Sequence, residues 1–142
     1  MSEKPYIAYP GTGVMPLPNS ATFVSEPGKV SFGVQNFPPY YVRSLHRHNL
    51  WELIIIDGSS EGPGYVFFDG KWWRVPPGAG VFVPKGYPHS WSSGKNRFKM
   101  LWVYGGSRDE AGRIYDVPEA EGKPITPEEE NNAPLWTADK AG

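Results

Sequence analysis

Apolar and polar residues alternate along several short segments between residues 29 and 104. In the segment 29–37, Val30, Phe32 and Val34 fall on one side and polar or small residues on the other. Because successive side chains of a strand point to opposite faces, this alternation predicts a β-strand. The segment 97–104 alternates in the same way and places four large apolar residues on one face: Phe98, Met100, Trp102 and Tyr104.

Turn signals separate these segments. Asp69-Gly70 lies between the strand-like segments 65–68 and 72–75 and predicts a two-residue hairpin, because this dipeptide tolerates the positive φ angles that such a turn needs. Further strands are predicted at 51–56, 81–83 and 89–92, and no segment up to residue 104 has a helical period. Short strands between frequent turns predict an all-β sandwich or barrel.

The chain divides into three parts on this pattern. Residues 1–28 are rich in Pro, Gly and Ser and are predicted to form an N-terminal arm that packs on the barrel, with short extended segments at Tyr6–Tyr9 and Thr22–Val24. Residues 29–104 form the predicted barrel. Residues 105–142 are predicted to be a polar, acidic C-terminal tail, in which Thr126 followed by Pro127 and two glutamates could cap and start one helical turn.

Composition narrows the range of functions. The 14 basic and 15 acidic residues give a formal net charge of −1, which offers no field to attract nucleic acid. The sequence has no cysteine, so any metal must be held by nitrogen and oxygen ligands. It also lacks an apolar stretch long enough to span a bilayer and a basic segment followed by an apolar run at its start. We therefore expect a cytoplasmic protein with neither nucleic acid nor membrane as a partner.

The three histidines of the chain fall in two short segments. The segment 40–48 alternates, which puts Tyr40, His46 and His48 on one predicted face and Arg43 on the other. Glu52 follows four residues after His48 as the single carboxylate in a dense apolar strand, and His89 begins a separate strand. Side chains from neighbouring strands can converge on one ion. A histidine pair on a strand is by itself more often structural than a metal site.

These residues resemble the two motifs of the cupin superfamily. The first motif appears as His46-x-His48-x3-Glu52 closing on Gly58, and the second as Gly78-x5-Pro84-x-Gly86-x2-His89. Two departures occur: Tyr40 stands at the usual leading glycine of the first motif, and Ser93 stands at the usual asparagine of the second. Neither departure touches the residues that correspond to metal ligands. The resemblance covers roughly residues 30–104, with both motifs in the right order and separation.

The resemblance implies a cupin-type double-stranded β-helix, or jelly-roll barrel, which is typically a homodimer and holds one metal ion in the barrel mouth. The implied ligands are His46, His48, His89 and Glu52. This ligand set suits iron first, and also Mn, Ni or Co. Zn or Cu is favoured if Glu52 does not ligate the metal. Glu52 is also the candidate catalytic residue, because it can act as a proton carrier beside a three-histidine site.

Aromatic residues are the second informative feature. Most of them are expected to pack the barrel, but Tyr40, Trp91 and Trp102 are candidates for a substrate-binding wall, because Tyr and Trp combine a flat apolar face with a polar edge. Such a wall suits an aromatic or sugar substrate.

The expected function is that of a mononuclear metal-dependent enzyme, first of all a dioxygenase-type oxidoreductase acting on a small organic substrate. This reaction class rests on analogy with the fold. Two alternatives stay open. One is carbohydrate-directed chemistry, either sugar isomerisation, lyase action or oxidative attack on a glycan by a copper form. The other is a non-catalytic module that binds a small molecule.

Overall fold

The computed structural model describes residues 20–115 and 123–136. Nine strands lie within these residues: β1 Ser20–Glu26, β2 Val30–Phe37, β3 Val42–His46, β4 Glu52–Ile56, β5 Gly64–Phe68, β6 Lys71–Val75, β7 Gly80–Val83, β8 His89–Ser93 and β9 Phe98–Tyr104. Two short helices follow them, α1 Arg108–Ala111 and α2 Pro127–Asn132.

The strands form two antiparallel sheets that face each other. The five-stranded sheet has the order β1-β2-β9-β4-β7, and the four-stranded sheet has the order β3-β8-β5-β6. This is the jelly-roll arrangement of a cupin barrel, so the predicted all-β fold class is confirmed. The apolar core lies between the sheets, where burial of large side chains supplies most of the stabilisation.

Strands β4 and β9 lie side by side at the centre of the larger sheet and show the predicted alternation. Glu52, Ile54 and Ile56 are buried on β4, while Leu53 and Ile55 are not. All four predicted inward residues of β9 are buried as well. Glu52 therefore enters the barrel interior because it shares a face with two core isoleucines.

The predicted hairpin is also confirmed. Phe68 of β5 pairs with Lys71 of β6, so that Asp69 and Gly70 alone form the turn. Their φ angles are 53° and 83°. Two consecutive positive φ angles define the type I′ turn that matches the twist of the flanking strands.

The predicted facing of residues 40–48 is wrong at two positions. Arg43 pairs with Trp91 and His46 pairs with His89, so three steps along β3 match two steps along β8. This bulge shifts the phase of the strand and lets Arg43 and His46 line the same cavity, although the alternation placed them on opposite faces. Tyr40 precedes the strand with a φ of 51° and does not share the face of His46.

The segments outside the predicted barrel contribute elements of their own. Thr22–Val24 lies within β1, an edge strand of the larger sheet, whereas Tyr6–Tyr9 lies outside the described residues. Helix α2 begins after Thr126, whose side chain accepts a hydrogen bond from the backbone N–H of Glu129, so the predicted cap is confirmed.

The described parts of the segment 105–142 pack against the barrel. Arg47 forms a bridge with Ile114 at one edge, and Arg74 forms a bridge with Leu135 at another. Ile125 and Ala133 are buried against Tyr65 on the outside of the smaller sheet. Among the helices of these residues, none has the length and apolar character needed to cross a membrane.

Candidate metal centre

Four polar side chains, on or directly after three strands, meet inside the barrel. His46 ends β3 and His48 follows it, Glu52 begins β4, and His89 begins β8. All four are buried, with at most 6% of their surface exposed. The structure therefore brings together every residue that the two sequence motifs indicated as a metal ligand.

Backbone carbonyl groups fix the orientation of the three imidazole rings. Each Nδ1 atom lies within hydrogen-bond distance of a carbonyl oxygen: His46 to Ser44 at 2.5 Å, His48 to Gly112 at 2.5 Å and His89 to Tyr87 at 3.0 Å. A carbonyl oxygen only accepts, so each Nδ1 atom must carry the proton. In the neutral form of such a ring the lone pair is on Nε2, which is the tautomer that metal ligation requires.

The Nε2 atoms converge. The Nε2 atoms of His46 and His48 are 3.0 Å apart, and the ligand atoms of all three histidines lie within 4.8 Å of one another. Two nitrogen ligands that are about 2.1 Å from one ion and at right angles to each other stand about 3.0 Å apart. Three lone pairs facing one point would repel each other without a cation, so the donor set fits a single metal ion.

Glu52 approaches two of these histidines from the opposite sheet. Its Oε1 atom is 3.1 Å from Nε2 of His89 and 3.6 Å from Nε2 of His48. Burial acts to raise the pKa of Glu52, but the neighbouring imidazoles outweigh it and lower that pKa, His89 first and then His48, because a proton on either ring would stabilise the carboxylate. Glu52 is thus held as a carboxylate, the form that can ligate a cation.

Burial has the opposite effect on two of the imidazoles. It lowers the pKa of His46 well below its ordinary value, with further lowering by His89 and His48. It also lowers the pKa of His48, against the opposing influence of Glu52. Both rings are therefore neutral at pH 7 and available as ligands.

Tyr104 belongs to the site although the sequence pattern placed it among the core aromatics. It pairs with Glu52 across β9 and β4, and its hydroxyl lies 3.4 Å from Nε2 of His48. Burial raises its pKa well above 10, helped by the charge of Glu52. Tyr104 therefore stays protonated and can donate a hydrogen bond at the centre. Tyr104 lies on the same face of β9 as Trp102, a predicted wall residue, and this alternation was the feature of the sequence that could have indicated it.

A small inner cavity of about 30 Å³ adjoins the centre. Trp91 and Trp102, two of the predicted wall residues, line it together with His46, His89 and Glu52. Tyr40 lies elsewhere: it is 36% exposed, and its hydroxyl donates a hydrogen bond to Glu130 of α2 at 2.9 Å. The structure thus brings two of the three predicted aromatic residues to the site.

Three arginines that sequence reasoning did not select also line the inner cavity. Arg43 comes from β3, Arg108 from α1, and Arg113 from the loop after α1. The bulge in β3 turns Arg43 inward, and no alternation pattern shows a bulge. The other two come from the segment predicted to be a tail.

A much larger apolar cleft, of about 560 Å³, reaches His89 from the side where the edge strands β6 and β7 face each other. Its walls include Phe68, Trp73, Phe82 and Tyr87. Small-molecule sites have volumes of roughly 300–1,000 Å³ and mostly apolar walls. His89 of the candidate metal centre is thus reached from a cleft of suitable size.

Comparison with known families identifies the family of the chain. The model of a family described as the AraC-like ligand binding domain matches residues 29–119. The chain belongs to this family. As an AraC-like ligand binding domain it is a member of the cupin superfamily, which confirms the resemblance seen in the two motifs. No curated protein matches the chain significantly.

Solved structures similar to this AraC-like domain have several activities. The DMSP lyase DddQ from Ruegeria pomeroyi is 25% identical at a TM-score of 0.55, over 66% of this chain and 46% of the lyase. The chain thus spans less than half of that lyase. The polyketide cyclase RemF from Streptomyces resistomycificus is 16% identical at a TM-score of 0.58, over 82% of this chain and 87% of the cyclase.

A cupin superfamily protein from Desulfitobacterium hafniense is 19% identical at a TM-score of 0.55, over 72% of this chain and all of that protein. At such identities, the likeness to the cyclase and to this protein shows the fold alone. The fold that this AraC-like domain shares with them therefore leaves its own chemistry to be argued from its site.

Proposed function

We propose that this chain is a mononuclear metal-dependent enzyme that acts on a small organic substrate inside the barrel. The observation that carries the proposal is the convergence of three Nε2 lone pairs, each fixed by a carbonyl on the other ring nitrogen. A bound transition metal supplies Lewis acidity or redox chemistry to such a site. The protein orients the ligands, and the apolar cleft beside His89 gives a substrate access.

The reaction class that we propose first is a dioxygenase-type oxidation with iron. Three imidazoles and one carboxylate suit iron, and on a six-coordinate ion they leave open positions, as an enzyme that brings together dioxygen and substrate needs. Glu52 completes this donor set from the opposite sheet. Mn, Ni, Co, Cu and Zn remain candidates for the same ligands.

A second candidate is oxygen-independent proton transfer, as in a lyase or isomerase. Tyr104 favours it, because its hydroxyl stays protonated and lies beside Glu52 and His48. A protonated phenol next to a carboxylate forms an acid and base pair in which one group donates and the other accepts a proton. The similarity to DMSP lyase points in the same direction.

A third candidate is ligand binding without turnover, which the description of the matching family model favours. In that case the metal centre would anchor a ligand in the barrel. The apolar cleft serves such a role equally well.

One experiment separates the three candidates. The protein, loaded with iron and in parallel with Mn, Ni, Co, Cu and Zn, is incubated with a panel of small aromatic, sulfonium and sugar compounds. Oxygen uptake coupled to product supports the dioxygenase-type oxidation, and turnover that persists under strict anaerobiosis supports proton transfer. Binding without product supports the third candidate. His89→Ala is the control, because activity that survives this change does not come from the metal centre.

A further inference from the structure

We propose that the inner cavity binds the carboxylate group of the substrate, through Arg43, Arg108 and Arg113 together with Gln35 and Trp91. The role of this anion as part of a substrate rests on the proposed function. Anion binding itself requires no metal and can be tested separately.

The first argument is the charge of the cavity walls. Three guanidinium groups line the cavity, and Glu52 is the single acidic residue among its described walls. Glu52 is already engaged by His89 and His48. Three like charges gathered at one half-buried cavity repel one another, and a negatively charged ligand between them would relieve that repulsion. The walls therefore favour a negatively charged ligand.

The arginines also affect one another. Burial lowers the pKa of Arg43 and of Arg108, and the charge of Arg113 lowers both further. Arg108 is held in place by a hydrogen bond to Oγ1 of Thr22 at 2.8 Å and lies over the ring of Trp102. The like charges are thus kept together by packing, and an anion would relieve their repulsion.

The second argument comes from two neutral donors. Gln35 and Trp91 line the same cavity and are 5% and 2% exposed. Nε2 of Gln35 and Nε1 of Trp91 have no hydrogen-bond partner within the described part of the protein. A buried donor without an acceptor costs free energy, so two of them beside one cavity indicate a ligand that accepts hydrogen bonds.

The cavity's chemistry and size select a carboxylate. An ionised carboxylate only accepts hydrogen bonds, which matches walls made of guanidinium, amide and indole donors. The cavity of about 30 Å³ is lined by the residues that carry these donors and by His46 and His89. A cavity of this small volume suits one planar carboxylate group better than a tetrahedral phosphate. A carboxylate held there would lie next to the metal-binding histidines.

The test compares ligands of equal shape and different charge. Acetate, neutral acetamide and inorganic phosphate are titrated by calorimetry into metal-free and metal-loaded protein, with metal content measured in parallel. We expect acetate to bind both forms at least about tenfold more tightly than acetamide, since charge-assisted hydrogen bonds are the stronger kind. Equal binding of acetate and acetamide, or preference for phosphate, would overturn the proposal.

Three variants locate the site. Arg113→Gln, Gln35→Leu and Trp91→Phe each remove a donor and should weaken acetate binding to metal-free protein by about tenfold, without loss of metal from the loaded form. Arg97→Gln is the matched control, because Arg97 is exposed and paired with Glu61 at 3.6 Å. If Arg97→Gln weakens acetate binding as much as Arg113→Gln does, the effect comes from the net charge of the protein and not from the cavity, and the proposal is overturned. Loss of metal binding with intact acetate binding would instead contradict the proposed function.

Discussion

Oε1 of Glu52 lies 3.1 Å from Nε2 of His89, and this contact joins the two sheets of the barrel across its interior. Glu52 begins β4 in the five-stranded sheet, whereas His89 begins β8 in the four-stranded sheet. The candidate metal centre is thus built from both halves of the fold. The contact also places a carboxylate where it can either ligate the ion or carry a proton.

Glu52→Gln should separate these two roles. The amide keeps the shape but removes the charge that balances a divalent ion, so with Glu52 as a ligand we expect metal affinity to fall by about tenfold or more while the barrel stays folded. Metal titration and far-UV circular dichroism are the measurements. Glu61→Gln, an exposed change, is the control.

A Glu52→Gln variant with normal metal affinity and reduced turnover would instead identify a proton carrier. If the variant changes neither quantity, both roles fail. Glu52 would then be a structural hydrogen-bonding residue.

Gly33→Ala should destabilise the barrel. A Cβ atom at Gly33 would lie 2.2 Å from the carbonyl oxygen of Ala21 and 2.5 Å from the ring of Trp102. Relief of these contacts must move a backbone or a buried aromatic ring, at a cost of about 1–3 kcal/mol. Urea unfolding measures this cost. Gly58→Ala is the matched control, because nothing lies within 4 Å of its Cβ position, and an equal loss in both variants would contradict the packing argument.

High pH should weaken the contact between Tyr65 of β5 and Glu130 of α2. Burial first, and then the charge of Glu130, raise the pKa of Tyr65 to about 12. In the unfolded chain its pKa is about 10, so the folded state holds the proton more tightly. The corresponding stability is fully present below pH 10 and is lost as the pH rises from about 10 toward 12.

Tyr65→Phe should therefore remove part of the alkaline loss of stability that the unmodified protein shows in urea unfolding at pH 9 and pH 11. Tyr115→Phe, at a position that is 61% exposed, should behave as the unmodified protein does. If the stability of the Tyr65 and Tyr115 variants depends on pH in the same way, the alkaline loss of stability does not come from Tyr65.

The homodimer implied by the family resemblance stays a prediction. Ile55 pairs with Leu101 on the outer face of the larger sheet, where both are exposed near Phe82 of β7. An apolar patch on a sheet face is typical of an interface. Light scattering at micromolar concentration should give twice the chain mass, and Leu101→Lys should shift it toward monomer. A monomer mass for the unmodified protein would contradict the prediction.

The residues that the sequence predicted best follow strict local rules. The turn at Asp69-Gly70 needs positive φ angles that few other dipeptides tolerate, and β9 alternates because one face is buried. The spacing of the histidines and Glu52 within two motifs likewise depends on strand geometry. Local pattern was therefore sufficient for the all-β fold class and for the hairpin, and the resemblance to the two motifs added the four residues that converge inside the barrel.

The missed residues depend on non-local geometry. Arg43 reaches the inner cavity because a bulge shifts β3 against β8, and a bulge leaves no trace in the alternation. Arg108 and Arg113 arrive from a polar segment whose composition gave no reason to pack it on the barrel. Tyr104 joins the centre through its register with Glu52, which requires knowledge of strand pairing.

The metal content of the protein and of its histidine variants tests the central claim most directly. Protein purified without added metal and then titrated should bind one transition metal ion per chain, as measured by mass spectrometry of metals. His46→Ala, His48→Ala and His89→Ala should each abolish this stoichiometric binding and keep the far-UV spectrum of a folded barrel, because the apolar core does not depend on the ion. Full metal content in any of the three variants, or no metal in the unmodified protein, would contradict the account.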